Sequence, residues 1–130
     1  LTYSIYSHNG DWKEGQTSQK AYELNTPFIT TVEEAHKGEL PSTLSLAKVD
    51  KDNVMIEVIK KAEDSDDLIV RMYEFHNKRS DVTLEFFKDV KEIKECNLLE
   101  KDLEELSPVG NKVNFTIKPY EIKTFKFKLR

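Results

Sequence analysis

Apolar and polar residues alternate along most of this chain with a period of two, the spacing typical of strands that bury one face. Residues that favour turns, such as Asp, Asn, Gly and Pro, separate the alternating stretches. The predicted strands lie at residues 44–49, 54–59, 68–75, 82–86, 90–96, 113–117 and 122–129. The stretch at 68–75 is apolar on both sides, as expected of a central strand. The pattern predicts an all-β fold, an antiparallel β-sandwich with little helix.

The same alternation assigns side chains to the buried face of each strand. The six residues expected in the core are Ile5, Ile56, Val70, Leu84, Phe115 and Phe127. In the last strand the phase of the alternation changes between Ile122 and Phe125. One extra residue on a strand shifts the phase in this way, so the change predicts a β-bulge.

The first six residues also alternate, with Leu1, Tyr3 and Ile5 apolar, and they predict one more strand. A natural protein rarely begins within a strand and without an initiator Met. We therefore expect the chain to be a C-terminal piece of a larger multidomain polypeptide. Its length of 130 residues is that of a single domain, and we expect one β-sandwich over residues 1–130.

Three segments depart from the strand pattern. Residues 16–25 predict a helical turn or two, which Pro27 ends. The acidic residues 98–106 predict a short helix or an irregular crossing segment. The polar segment 7–27 is too long for an ordinary hairpin loop, and loops of this length are usually functional or packed against something.

Composition and charge exclude several kinds of partner. Basic and acidic residues number 20 and 24, a net charge of -4, and a nucleic-acid footprint needs a basic face instead. No apolar run approaches the roughly 20 residues of a membrane span, so no membrane partner is expected. Cys96 is the single cysteine, which excludes an internal disulfide and favours a reducing compartment, hence the cytoplasm.

The residues that could carry chemistry are scattered, and we predict no catalytic and no metal-binding residue. The three histidines lie far apart, without a short ligand spacing. His8 and Asp11 could form part of a metal or acid–base site, but hydrogen bonds to the loop backbone are the favoured interpretation. Cys96 is expected to be a small buried apolar group. Glu74 lies in an apolar strand, where a carboxylate either faces the rim of the sheet or pairs with a cation such as Arg71 or Arg79, and a structural ion pair is the favoured interpretation.

Trp12 is the only tryptophan, and two roles are open for it. An exposed Trp beside polar loop residues could stack on the face of a sugar. A Trp of this kind is more often a plug in a core or an interface.

Several segments, taken in order, carry a family pattern. Residues 3–12 (YSIYSHNGDW) are similar to an aromatic-x-Tyr-x-Leu-x-Pro-His-x-Gly-Asp stretch, with Ser7 where that pattern usually has Pro. Further matches lie at residues 21–27 (AYELNTP), 54–64, 68–77 and 119–125 (PYEIKTF). Their order and spacing over nearly the whole chain resemble the C-terminal β-sandwich region of glycoside hydrolase family 38, the zinc-dependent α-mannosidases. The likeness is to the bacterial and cytosolic branch.

The resemblance implies a sandwich of the galactose-mutarotase-like, or supersandwich, type. It implies a parent enzyme that removes α-linked mannose from oligosaccharides with retention of configuration, for which two carboxylates about 5 Å apart are needed. In the family the nucleophile and the zinc ligands belong to an N-terminal catalytic domain, and no position here matches those motifs. The resemblance thus implies no cofactor in this chain, zinc in the parent, and the parent's catalytic and central domains as partners.

Three functions remain open for the chain itself. The first is a non-catalytic domain that supports the catalytic domain of an α-mannosidase by packing, the second an independent carbohydrate-binding module, and the third a protein-interaction sandwich. The candidate residues for a domain interface or a sugar contact are His8, Asp11, Trp12 and Tyr22. We expect Trp12 and Tyr22 to act as apolar anchors, with His8 and Asp11 fixing the loop.

Overall fold

The computed structural model describes residues 3–130, and its contacts divide it between Glu39 and Leu40 into two compact units. We call residues 3–39 the N-terminal unit and residues 40–130 the sandwich unit. Among the described residues, no helix has both the length and the apolar character needed to cross a membrane.

The N-terminal unit contains one helix, α1 (Thr17–Asn25), as the sequence predicts for residues 16–25. It begins after Gln16, whose backbone is left-handed with φ of 51°, and none of its residues is buried. The helix ends where the Thr26 amide donates to the Tyr22 carbonyl, one residue before Pro27. Proline disfavours helical geometry in the residue that precedes it, which explains the stop.

The prediction of a strand at the start of the chain is wrong for residues 3–6, the part that the structure describes. Leu1 and Thr2 lie outside the described residues, and residues 3–6 form no regular structure. Ile5, expected in the core, is 94% exposed. A strand needs a neighbouring strand to satisfy its backbone groups, and sequence alternation alone cannot show whether the chain supplies that neighbour.

The sandwich unit consists of eight strands in two antiparallel sheets. The strands are β1 (Ala47–Val49), β2 (Val54–Lys61), β3 (Leu68–Glu74), β4 (Ser80–Phe86), β5 (Val90–Cys96), β6 (Asp102–Leu106), β7 (Lys112–Ile117) and β8 (Ile122–Leu129). The three-stranded sheet has the order β1-β4-β7, and the five-stranded sheet has the order β2-β3-β8-β5-β6. The predicted β-sandwich is confirmed, and β3 is an inner strand as its apolar character predicts.

The core lies between the two sheets and takes apolar side chains from both. Aromatic rings meet across the gap: the ring centroids of Phe86 and Phe127 are 4.3 Å apart, and those of Phe115 and Phe125 are 4.8 Å apart. The buried core residues are Val54, Val70, Met72, Val82, Leu84, Phe86, Val90, Ile93, Val113, Ile117, Phe125 and Phe127.

Five of the six predicted core residues lie in or against this core. Val70, Leu84 and Phe127 are buried, whereas Ile56 and Phe115 are partly buried and pack against the buried cluster. Ile5 is the exception described above.

The irregularities in the sheets fall at other positions than the one predicted. The pairing of β8 with β3 runs without interruption from Ile122 to Phe127, so the bulge expected between Ile122 and Phe125 is wrong. The register shifts instead at three other points: in β2 between Ile56 and Val58, in β5 between Val90 and Glu92, and between Glu95 and Cys96 where β5 pairs with β6.

Two segment boundaries also differ from the prediction. The strand expected from residue 44 begins only at Ala47, and Leu44 and Leu46 are exposed. The acidic segment 98–106 is no helix, because its second half forms β6 and pairs with β5. Asp102 at the start of β6 contacts Lys94 at 3.0 Å and Lys126 at 2.8 Å, ion pairs that favour this pairing.

Candidate functional site

The polar loop of the N-terminal unit is organised by Asp11. Its Oδ1 accepts hydrogen bonds from the amides of Lys13 at 2.8 Å and Glu14 at 3.0 Å. In return, Glu14 Oε2 accepts one from the Asp11 amide at 2.9 Å. These reciprocal bonds form a capping box, in which two side chains satisfy amides that open a helical turn. The turn closes where the Gly15 amide donates to the Asp11 carbonyl.

His8 packs on this turn. Its Nε2 lies 3.3 Å from Thr17 Oγ1, in the first turn of α1, and its Nδ1 lies 3.1 Å from the Asn9 carbonyl oxygen. A β-carbon placed on Gly15 would lie only 2.4 Å from His8 Nδ1, so the imidazole needs a glycine at this position. The contacts of His8 and Asp11 agree with the favoured interpretation, in which both fix the loop by hydrogen bonds.

Trp12 and Tyr22 present aromatic surface near this loop and on α1. Trp12 is 45% exposed, and the Lys13 ammonium lies 5.4 Å from the centroid of its ring. Tyr22 is 37% exposed. The structure therefore brings His8, Asp11 and Trp12 into one hydrogen-bonded loop, with Tyr22 on the helix that follows. Whether these residues contact another domain or a sugar stays a prediction.

The sandwich unit contains a second polar cluster, which is centred on Glu74 at the end of β3. This side chain is 1% exposed. Its Oε1 accepts hydrogen bonds from Asn53 Nδ2 and from the His76 amide, both at 2.8 Å, and its Oε2 accepts one from the Tyr120 amide at 2.9 Å. The ion pair with Arg71 or Arg79 predicted for Glu74 is wrong, because neutral amide donors surround the carboxylate instead.

These bonds explain how a charged carboxylate is tolerated inside the sandwich. Burial raises the pKa of Glu74, but the hydrogen bonds from Tyr120, Asn53 and His76 outweigh burial and leave the pKa below its ordinary value. Asn53 also donates to Ser80 Oγ at 3.1 Å, at the start of β4. The cluster thus connects β3 of one sheet to β4 of the other by hydrogen bonds and stabilises the sandwich.

Sequence reasoning identified Glu74 but missed Asn53, Ser80 and the Tyr120 amide. The available signal was a carboxylate within an apolar strand, which demands buried partners. Two of its partners, Asn53 and Tyr120, lie 21 and 46 residues away along the chain, and no local pattern specifies them.

The other candidates carry no assembled chemistry. Cys96 is buried, as predicted, and burial raises the pKa of its thiol, which opposes formation of a nucleophilic thiolate. A charged cavity of about 190 Å³ lies beside Glu92, Asp102 and Lys126. Its lysines are paired with its carboxylates: Lys94 and Lys126 with Asp102, and Lys128 with Glu92. Across residues 3–130, no group of three or more His, Cys, Asp or Glu side chains is placed to hold a metal ion.

The fold and the two polar clusters together define the class of protein: a two-sheet antiparallel β-sandwich whose clustered polar groups hydrogen-bond its own loops and sheets. Residues 53–125, within the sandwich unit, match the family model described as the glycosyl hydrolases family 38 C-terminal beta sandwich domain. The chain belongs to glycosyl hydrolase family 38, as the resemblance predicts.

Similarity to α-mannosidases extends beyond the matched domain. The chain is 35% identical over 138 residues to Alpha-mannosidase G of Dictyostelium discoideum, an alignment that covers 98% of this chain. It is 30% identical over 130 residues to Alpha-mannosidase 2C1 of Mus musculus and 29% identical over 131 residues to Alpha-mannosidase 2C1 of Homo sapiens, covering 95% and 94% of this chain. The chain spans only 12% of the length of each of these relatives.

Proposed function

We propose that this chain is the non-catalytic C-terminal part of a cytoplasmic α-mannosidase and that it supports the catalytic domain by packing against the rest of the polypeptide. The observation that carries the proposal is the alignment with Alpha-mannosidase G, which covers 98% of this chain and 12% of that protein. Nearly all of the chain thus corresponds to a small part of a much longer enzyme.

The chemistry of a retaining glycosidase supports a non-catalytic role for this part. Such a reaction needs a nucleophilic carboxylate and a separate acid/base carboxylate about 5 Å apart, both facing the substrate. Glu74, the most deeply buried carboxylate of the described residues, instead accepts hydrogen bonds from Asn53 and two backbone amides. In the proposed role, cleavage of α-linked mannose takes place in the remainder of the polypeptide.

The zinc ion that the family implies does not fit the residues described here. Zinc sites take three or four His, Cys, Asp or Glu ligands, and residues 3–130 bring no such group together. In the proposed enzyme the zinc belongs to the catalytic domain.

The loop around Asp11 is the proposed contact with a neighbouring domain. Trp12 and Tyr22 supply aromatic surface of the kind that anchors interfaces, and the capping box holds the loop in one shape before contact. His8 and Asp11 act through the loop and contact its backbone.

A chimeric enzyme tests the proposed function. The segment of Alpha-mannosidase G that aligns with this chain is replaced by the chain, and hydrolysis of an aryl α-mannoside is measured against the unmodified enzyme and a version lacking the segment. We expect the chimera to be stable and active, the truncated enzyme to be unstable, and the isolated chain to be inactive. A chimera as defective as the truncated enzyme contradicts the proposal.

Titration of the isolated chain with mannosides distinguishes the carbohydrate-binding alternative from the proposed packing role. Binding to the isolated chain that Trp12→Ala abolishes, with the chimera's stability unchanged, favours an independent sugar-binding module. Zinc-dependent turnover by the isolated chain contradicts the non-catalytic assignment.

A further inference from the structure

The N-terminal unit lacks a core of its own. Among its described residues, 3–39, only Gly15 is buried, and α1 buries none of its residues. Folded units of fewer than about 40 residues usually need disulfides, metals or a partner surface. The chain's one cysteine is Cys96, and residues 3–130 place no metal-binding group. The surface that this unit packs against must therefore be supplied from elsewhere.

One segment of this unit has the composition of a buried strand. Residues 28–32 (FITTV) are β-branched or aromatic throughout, the types that pleated sheets favour. Phe28, Ile29 and Val32 are nevertheless 97–99% exposed, and the segment takes part in no sheet. Apolar residues occupy both faces, a pattern typical of a strand covered on both sides.

A second segment on the other side of α1 has the same character. Residues 3–6 alternate, and Tyr3 and Ile5 are 85% and 94% exposed. The unit thus consists of an irregular segment, a capped turn with a helix, and another irregular segment. Proline at 27 and the Glu33-Glu34 pair flank the second one, and such residues commonly bound strands that must not pair with wrong partners.

The comparisons separate the N-terminal unit from the matched sandwich domain. The family model for the C-terminal sandwich covers residues 53–125 and leaves the N-terminal unit outside. The alignments with α-mannosidases cover 94–98% of the chain, so they extend into this unit. The unit is therefore shared with the longer enzymes without belonging to the matched sandwich.

We propose that residues 3–6 and 28–32 are strands that complete an open β-sheet in the preceding domain of the same polypeptide, so that the boundary of the sandwich domain lies near residue 40. The inference rests on the proposed function, since it takes the remainder of a family 38 enzyme as the partner. Backbone hydrogen bonds to a sheet edge supply the affinity, and the pockets that receive Phe28, Ile29 and Val32 supply the register.

Amide hydrogen exchange in two contexts tests this. In the isolated chain we expect the amides of residues 28–32 to exchange freely while those of β3 are protected. In the chimera with Alpha-mannosidase G, the amides of 28–32 that face a neighbouring strand should exchange at least about 100-fold more slowly.

Proline scanning provides the matched variants. Ile29→Pro and Thr30→Pro remove adjacent amides, which point to opposite edges of a strand, so at least one breaks a bond to the partner sheet. We expect that variant to lower the chimera's melting temperature and to leave the isolated chain's unchanged. Lys37→Pro, in the same exposed unit but outside the proposed strands, is the control and should change neither.

The outcomes separate this inference from the proposed function. The inference is overturned, and the proposed function left intact, by one result. The chimera is active, its amides at 28–32 stay unprotected, and it tolerates both proline substitutions. A chimera that neither folds nor turns over, beside an active unmodified enzyme, overturns both. Protection in a monomer of the isolated chain assigns the segment to its own sandwich, and protection only in a dimer assigns it to a second copy; either result overturns the proposal.

Discussion

At the scale of single residues, the sandwich depends on one buried carboxylate whose charge is stabilised without a cation. Glu74 connects Asn53, the His76 amide and the Tyr120 amide, groups from three parts of the chain. Hydrogen bonds to a charged acceptor contribute about 1.5–3 kcal/mol each, and donors left unsatisfied inside a protein cost similar amounts. The cluster therefore specifies how the two sheets meet as well as stabilising them.

Truncating this carboxylate should be among the most damaging single changes to the sandwich. Glu74→Ala removes the acceptor for three donors, and we expect it to lower the free energy of unfolding by about 3–5 kcal/mol. Glu74→Gln keeps the shape and one carbonyl acceptor, so its cost should be smaller, about 1–3 kcal/mol. Urea unfolding of both variants measures these values. Equal stability of Glu74→Ala and the natural chain refutes the structural role.

The lowered pKa of Glu74 makes part of the stability depend on pH. A carboxylate whose pKa is lower in the folded than in the unfolded state contributes fully above the unfolded value, about 4.3. That contribution is lost as the pH falls through the folded value. We therefore expect the stability difference between the natural chain and Glu74→Gln to stay constant above about pH 5 and to shrink as the pH falls below the unfolded value. Urea unfolding across this range checks it, and a difference independent of pH contradicts it.

The ring of His8 occupies the space that a side chain at position 15 would fill. In Gly15→Ala the new β-carbon falls 2.4 Å from His8 Nδ1, so the imidazole must move and loses its contact with Thr17. We expect a local cost of about 1 kcal/mol, seen as shifted His8 ring resonances by NMR. Gly38→Ala is the control, since a β-carbon there has no neighbour within 4 Å. Unchanged His8 resonances in Gly15→Ala contradict the packing described.

At the scale of elements, the sequence predicts strands well wherever both the strand and its partners lie in this chain. The strands that become β2, β3, β4, β5, β7 and β8 follow from alternation, because each buries its apolar face between the two sheets. The strand β6 was not predicted because its sequence is acidic and lacks clear alternation. Its ion pairs with lysines of other strands cannot be read from its own sequence. The prediction for residues 3–6 fails for the opposite reason. The pattern is that of a strand, but no strand in the described chain pairs with these residues.

The irregularities within strands follow the same logic. A change of phase at Ile122 indicates a bulge only if the register with the neighbouring strand shifts there, and β8 pairs with β3 through this point without a shift. The bulge in β2 between Ile56 and Val58 arises where alternation looks regular. Pairing depends on two strands at once, so one strand's sequence cannot place a bulge.

The candidate site was predictable in its chemistry but only in part in its geometry. Asp11 followed by Glu14 has the spacing of a capping box, and hydrogen bonds from the Asp11 side chain to its own loop were expected. The position of His8 against Gly15 and Thr17 depends on how the loop folds back onto α1. The spacing of residues in the sequence does not specify how the loop folds back.

At the scale of the whole molecule, the chain combines a well-formed sandwich with a unit that has almost no buried residue. The matched family domain accounts for the first, and the alignments with much longer α-mannosidases account for the presence of the second. Exposed aromatic and β-branched residues are concentrated in the N-terminal unit. Trp12 is the residue whose loss best distinguishes a domain contact from a sugar contact.

In the chimera with Alpha-mannosidase G, Trp12→Ala should weaken the junction between domains. Loss of a buried aromatic anchor typically costs about 2 kcal/mol or more, so we expect a lower melting temperature and easier separation of the domains on limited proteolysis. In the isolated chain, where Trp12 is already 45% exposed, the same change should cost far less. The contrast between the two contexts is the measurement, because a residue that only holds its own loop lowers both equally. A sugar-stacking Trp12 instead leaves both stabilities nearly unchanged and abolishes mannoside binding by the isolated chain.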